Sequence, residues 1–350
     1  MFVEETIVIG ISKRLPVGLA FLFLLVCGGC GNGSRKVSGS GSTFIKPIMD
    51  KWIQQYTKER GGLEINYQGT GSTAGIKQMT DQAVDFACTD AFLTQEQMNL
   101  AAKRGQVVHI PLALGAIVPA YNLKDIDKPL NFSGEVLAAI FRGKIKKWND
   151  PALRAINEGV ALPDLDISVV HRTEGSGSTF IFTEYLSKVS PEWKEQVGAN
   201  TSVKWPVGTG EQGNPGVAGF LGNTPGSIGY IELYYALLKA KDIQFGAVKN
   251  KAGKFIRADL VSVRKAAENS LANIPDDLRF SLTDAEGVDS YPIAGATWAV
   301  LYTNPTDDTG KALVDFLIWA IHEGQKYNES MHYANVPEAL VKRIDEKLKK

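Results

Sequence analysis

Three times along the chain a glycine-and-hydroxyl segment opens directly into a stretch of helical spacing. The segments are Gly39-Ser40-Gly41-Ser42-Thr43-Phe44, Gly69-Thr70-Gly71-Ser72-Thr73-Ala74-Gly75 and Gly175-Ser176-Gly177-Ser178-Thr179. Glycine lets the backbone turn sharply and approach a ligand closely. A helix start adds unpaired N–H groups and the positive end of its dipole, and hydroxyls add rotatable donors. Taken singly, each segment reads as an ordinary capped helix start. Three in one chain, one of them beside an arginine, point instead to a cage of donors around a small tetrahedral oxyanion.

The rest of the pattern is α/β. Strand-like runs at 63–67, 84–88, 107–121, 167–170, 227–230 and 299–302 alternate with helical spacing at 75–81, 94–104, 180–189 and 311–322. Thr94 reads as a helix cap. The nearly continuous apolar run 107–121, with Pro111 and Pro119 as interruptions, fits buried strands passing from one domain into the next. A length of 350 residues makes two domains the natural expectation. No repeat of solenoid length is present.

Charge excludes one large class. Lysine plus arginine equals aspartate plus glutamate at 38 each, so the basic excess expected of a nucleic-acid binder is missing. An anion ligand must then be attracted locally. Arg172, just ahead of the third segment, is suited to this, because a guanidinium forms bidentate charge-assisted bonds to phosphate-like oxygens. Glu174, two residues on, can hold that guanidinium; the alternative is a surface ion pair worth ~0–1 kcal/mol. Asp90 follows a strand-like run, and a carboxylate beside an anion is useful only as acceptor of a ligand proton. Protonated phosphate donates such a proton and ionised sulfate does not, and an unpaired buried acceptor costs ~1–3 kcal/mol. A helix cap or structural ion pair is the other reading of Asp90.

The N-terminus reads as an export signal. Lys13 and Arg14 precede an apolar run at 15–26 and then Cys27-Gly28-Gly29-Cys30. The run is too short for a permanent span at ~1.5 Å per residue. Residues 1–29 are expected as a lipoprotein-like signal, Cys30 as the lipidated thiol and 30–41, rich in glycine and serine, as a flexible tether. An ordinary signal peptide cut a few residues later is the alternative. Cys88 is then the remaining cysteine, read as a small buried apolar residue rather than a catalytic thiol.

These segments resemble the phosphate-binding proteins of Pst-type ABC phosphate importers, from about Val37 to the C-terminus. The matching runs are 39–44, Asn-Tyr-Gln-Gly-Thr-Gly-Ser at 66–72, Val-Asp-Phe-Ala-Cys-Thr-Asp at 84–90, Gly-Lys-Ile-Lys-Lys-Trp-Asn-Asp at 143–150, the Arg172 segment, Val-Lys-Trp-Pro-Val-Gly at 203–208 and Gly-Ser-Ile-Gly-Tyr-Ile-Glu at 226–232. The resemblance implies a two-lobe periplasmic-binding-protein fold of type II, with mixed sheets, helices on both faces and the ligand in the cleft between lobes. The lobes are expected at 42–115 with 292–350, and at 116–291. It implies phosphate contacts from Thr43, Phe44 and Ser72, with Asp90 accepting the phosphate proton. From the second lobe it implies contacts from Arg172, Ser176, Gly177 and Ser178, with Glu174 as the arginine's partner. Glu174 stands where aspartate is common in the family and Ser178 where threonine is common. The partners implied are inorganic phosphate and permease subunits with a cytoplasmic ATPase; a monomer held to a membrane by lipid is expected, with no cofactor, metal or nucleic acid.

Rival readings are an enzyme, a binder of another oxyanion, and a phosphate-sensing or adhesion protein. The histidines His109, His171, His322 and His332 show no metal-ligand spacing, and no phosphate-loop lysine motif occurs. On an alternating strand His171 is expected to point away from the Arg172 side. Gly208-x-Gly210-x-x-Gly213 fits dinucleotide spacing but reads as a glycine-rich turn.

Overall fold

The computed structural model describes residues 35–348, apart from 125 and 304–306; Cys30 and the expected signal lie outside the described residues. The first part alternates β1 (Arg35–Gly41), α1 (Lys46–Glu59), β2 (Leu63–Gln68), α2 (Ser72–Thr80), β3 (Phe86–Thr89) and α3 (Gln95–Ala101), ending in the long β4 (Val107–Tyr121). Next come β5 (Asn131–Phe132), α4 (Gly134–Phe141), α5 (Pro151–Ala155), β6 (Ser168–Arg172), α6 (Gly177–Val189) and α7 (Pro191–Gln196). They lead to β7 (Thr209–Glu211), α8 (Gly213–Asn223), β8 (Ser227–Glu232) and α9 (Leu233–Leu238). The chain closes with β9 (Gln244–Phe245), β10 (Ala247–Lys249), β11 (Phe255–Ile256), α10 (Leu260–Ser270), β12 (Ala294–Tyr302), α11 (Asp308–Ile321) and α12 (Glu338–Leu348).

One mixed sheet runs β2-β1-β3-β12-β4-β8-β6-β7, with β9 also paired to β4. Strands β2, β1 and β3 are parallel, as are β8, β6 and β7, while β12 and β4 run antiparallel between these groups. Strand β4 joins the two halves: Val107–Ala116 pairs with β12 and Ile117–Tyr121 with β8. It is one strand through both prolines rather than an interrupted run. Pro111 has no N–H to give the ladder, and the register with β12 shifts between Thr297 and Trp298, opposite it.

The expected tether is corrected over its last seven residues. Arg35–Gly41 is an interior strand, paired with β2 on one side and β3 on the other. Its small residues answer a packing demand: a Cβ on Gly39 would overlap the Phe86 ring, and one on Gly41 the Cys88 carbonyl. Thus the composition of a linker here belongs to a strand that neighbours approach closely.

Helices α1 and α11 pack on the β1–β2 side, α2 on β1 and β3, α6 on β8, and α8 on β6 and β8. Fully buried Trp52, Trp148 and Trp193 anchor these layers, each a burial worth ~2–3 kcal/mol or more. Around β6, the Phe182 and Tyr230 rings stack at 4.5 Å and His171 stacks on Trp205 at 4.9 Å. His171 is thus engaged with aromatic packing while its neighbour Arg172 turns into the interior, as strand alternation requires.

Candidate functional site

The C-terminal ends of β1, β2, β6 and β7 each turn directly into a helix, and the four turns converge with the end of β3. At the first, Ser42-Thr43-Phe44 leave β1 and are pinned by tyrosines. Tyr67 donates its hydroxyl to the Ser42 carbonyl (2.8 Å), Tyr235 to that of Thr43 (2.8 Å) and Tyr333 to that of Phe44 (2.6 Å). At the second, Gly71 holds φ +96° ahead of α2, and a Cβ there would meet Glu174 and the Gly175 carbonyl. Ser72, at the start of α2, accepts from the N–H of Gly177 (3.1 Å) and of Asp90 (3.4 Å). Both lone pairs of its hydroxyl are then occupied, leaving its hydrogen to be donated.

The third turn carries the charge. Arg172 ends β6 and is only 3% exposed. Its backbone N–H donates to the Tyr230 hydroxyl at 3.2 Å, and that hydroxyl also bonds Thr179 at 2.7 Å. Glu174 Oε1 accepts from Arg172 Nε at 2.9 Å and from Nη2, and takes the Gly213 N–H at 3.1 Å. Nη2 also reaches Thr43 Oγ1 at 3.3 Å. The buried Nη1 has no hydrogen-bond acceptor among the described residues. Ser176 caps α6 by accepting the Thr179 N–H at 3.2 Å, and Gly177 and Ser178 follow it into the interior.

Asp90 closes the fifth side. Ser42 Oγ lies 2.6 Å from both carboxylate oxygens and Thr297 Oγ1 lies 2.6 Å from Oδ1. Burial lifts its carboxyl from 3.8 to about 6, against the opposing pull of the Ser42 and Thr297 hydroxyls and the Arg172 charge. It faces Gly177, where a Cβ would sit 2.5 Å from Asp90 Oδ2. Of the nine residues singled out from sequence in the described chain, these contacts join Thr43, Ser72, Asp90, Arg172, Glu174 and Gly177, and Phe44, Ser176 and Ser178 adjoin them in the chain; the Phe44 N–H itself donates to Ser42 Oγ at 2.9 Å.

Sequence reading missed several contributors. Ser42 and Thr297 dress Asp90, and no local pattern marks Thr297, which is 207 positions away in sequence. The segment read as a glycine-rich turn is strand β7 followed by the start of α8. That start brings Asn214, fully buried, onto Thr43 Oγ1 through both its backbone N–H (3.1 Å) and Nδ2 (3.0 Å). The signal available was Gly213, which holds φ +70° at the helix start. Glu232 caps α9 through Tyr234 N (2.9 Å) and is held well above the usual carboxylate range, chiefly by burial.

Cys88 is fully buried and burial raises its thiol. His109 accepts the Leu93 N–H, His171 is stacked on Trp205, and His322 bonds Asp345. Among the described residues no group of three or more His, Cys, Asp or Glu is placed to hold a metal ion, and no helix is long and apolar enough to cross a membrane.

The PBP superfamily domain matches residues 30–320. Fold and site thus define a binding protein of the periplasmic class. The phosphate-binding protein PstS of Xylella fastidiosa is 42% identical over 315 residues, covering 89% of this chain and 84% of that protein. The PstS of Pasteurella multocida is 40% identical over 313 residues, 89% of each. The chain belongs to the PstS family of phosphate-binding proteins. In fold it also matches a high-affinity periplasmic phosphate-binding protein solved with phosphate bound, at TM-score 0.71 and 20% identity, covering 89% of this chain and 93% of that one.

Proposed function

We propose that this protein captures inorganic phosphate reversibly at the Arg172 centre and delivers it to an ABC importer. The observation that carries this reading is Arg172 Nη1, a buried charged donor with no protein acceptor among the described residues. It lies where helix starts converge and where Asp90 is the facing acceptor. A buried donor of this kind is costly unless a ligand supplies the missing partner. A tetrahedral oxyanion does so, and Asp90 restricts the choice to one that carries a proton.

In this reading the Thr43 N–H, the hydroxyls of Thr43, Ser72, Ser176 and Ser178 and the Ser178 N–H donate to phosphate, while the Phe44 and Gly177 N–H groups, also expected as contacts, already donate to Ser42 Oγ at 2.9 Å and Ser72 Oγ at 3.1 Å. Arg172 gives its two Nη1 hydrogens, and Glu174 keeps the guanidinium plane fixed. Lobes at 42–115 with 292–350 and at 116–291 close on the ion by flexing across β4. Sub-micromolar binding requires ~8 kcal/mol or more net of desolvation and lost freedom. Preorganised charge-assisted donors are the source. The protein carries out no chemical step on its ligand. It acts outside the cytoplasmic membrane, held there through Cys30, and docks in its closed form on permease subunits driven by a cytoplasmic ATPase.

Deleting the chain from its own cell tests the delivery step. High-affinity uptake of labelled phosphate should be lost at low external phosphate, and undiminished uptake would contradict the proposal.

A further inference from the structure

The glycine segment 208–213 left a residue that the phosphate contacts do not absorb. Asn214 is the second residue of α8 and is fully buried. Its side-chain oxygen accepts the Glu232 backbone N–H at 3.0 Å. A backbone N–H can only donate, so the amide cannot be turned the other way round. Nδ2 must then face the site, and its two hydrogens are directed at Thr43 Oγ1 (3.0 Å) and Ser178 Oγ (3.4 Å).

The consequence falls on those two hydroxyls. Thr43 Oγ1 receives the Asn214 Nδ2, the Asn214 backbone N–H at 3.1 Å and Arg172 Nη2 at 3.3 Å. Three N–H donors around one hydroxyl oxygen occupy its accepting side. Its own hydrogen has no acceptor among the described residues, and the same holds for Ser178. We propose that Asn214 is a positioning residue that sets the Thr43 and Ser178 hydroxyls as donors toward the bound anion. The Thr43 hydroxyl is then not available to accept a ligand proton, a role that falls to Asp90. The inference rests on the phosphate reading above and extends it from contact residues to the group that orients them.

A double-mutant cycle on the full-length protein tests this, with inorganic phosphate as the titrant. Asn214→Ala should weaken phosphate on the order of 10- to 100-fold, because hydroxyls free to rotate lose their fixed donor direction. In a Thr43→Val background the same change should cost less than about 5-fold, since most of what Asn214 orients is gone. A purely structural Asn214 would cost the same in both backgrounds, and that additivity would overturn the inference. Should Asn214→Ala not fold, Asn214→Asp replaces it in the cycle. It keeps the oxygen that the Glu232 N–H needs and replaces the Nδ2 donors with a second carboxylate oxygen, whose charge costs affinity in both backgrounds alike and cancels from the cycle. Its loss of affinity should likewise shrink beside Thr43→Val, and equal losses would again overturn the inference. Failure of the wild type to bind phosphate is a separate outcome and removes the underlying phosphate reading itself.

Discussion

Arg172→Ala isolates the group on which the electrostatics of the site depend. In the folded protein Nε and one Nη2 hydrogen are committed to Glu174 and the other Nη2 hydrogen to Thr43, leaving both Nη1 hydrogens for an anion. Hydrogen bonds to charged groups are worth ~1.5–3 kcal/mol each, so two contribute ~3–6 kcal/mol. The expected rise in Kd is therefore roughly 100- to 20,000-fold. Removal also leaves the Glu174 carboxylate facing the anion with no cation beside it. Adding Glu174→Gln to Arg172→Ala should accordingly recover part of the affinity. Glu174 still accepts the Gly213 N–H, which helps the turn persist in the single variant. Calorimetric titration reports the affinity, and thermal unfolding without phosphate reports whether the variant is folded. A folded Arg172→Ala protein weakened less than about 10-fold would refute the assignment of Nη1 to the ligand.

Three further outcomes follow from the same geometry. Because Asp90 titrates near 6 in the folded protein and near 3.8 when unfolded, the folded state alone holds its proton between those values. Stability therefore falls as pH rises from about 4 to 6, by about 3 kcal/mol from this group, and is flat for it above. Asp90→Asn should erase that component, gaining on the wild type by this amount between pH 4 and pH 8 in ligand-free denaturant melts; a constant difference would contradict it. Gly177→Ala places a Cβ 2.5 Å from Asp90 Oδ2 and 2.7 Å from its N. The two sides must part, so phosphate should weaken by about 5- to 100-fold, and unchanged affinity would show that closure does not need this contact. Cys30→Ala should shift the protein from membranes to the soluble fraction, and continued membrane association would refute lipidation at that residue.

The glycine-and-hydroxyl turns were legible because a strand that turns straight into a helix needs small residues and capping hydroxyls, and both leave local marks. Arg172 and Glu174 were legible for a related reason: they sit on one such turn. Asp90 stood out chemically, as a carboxylate at a strand end beside donors. What escaped was set by register. Thr297 reaches Asp90 at the β-bulge opposite Pro111, and nothing near Thr297 in the chain announces that. Asn214 is recognisable only once α8 is placed beside the β1 turn. Strand β1 was misread over Arg35–Gly41 because glycine and serine describe both a solvated tether and a strand crowded by Phe86 and Cys88. The long β4 was legible as buried, but that one strand passes through both prolines required the pairing with β12 and β8.

Calorimetric titration of ligand-stripped protein with phosphate, repeated in excess sulfate, tests the central claim most directly. A caged, proton-reading site predicts tight one-to-one phosphate binding that sulfate leaves undisturbed, because sulfate offers Asp90 no proton. Sulfate competing at comparable strength would contradict the role of Asp90, and the absence of phosphate binding would contradict the function itself.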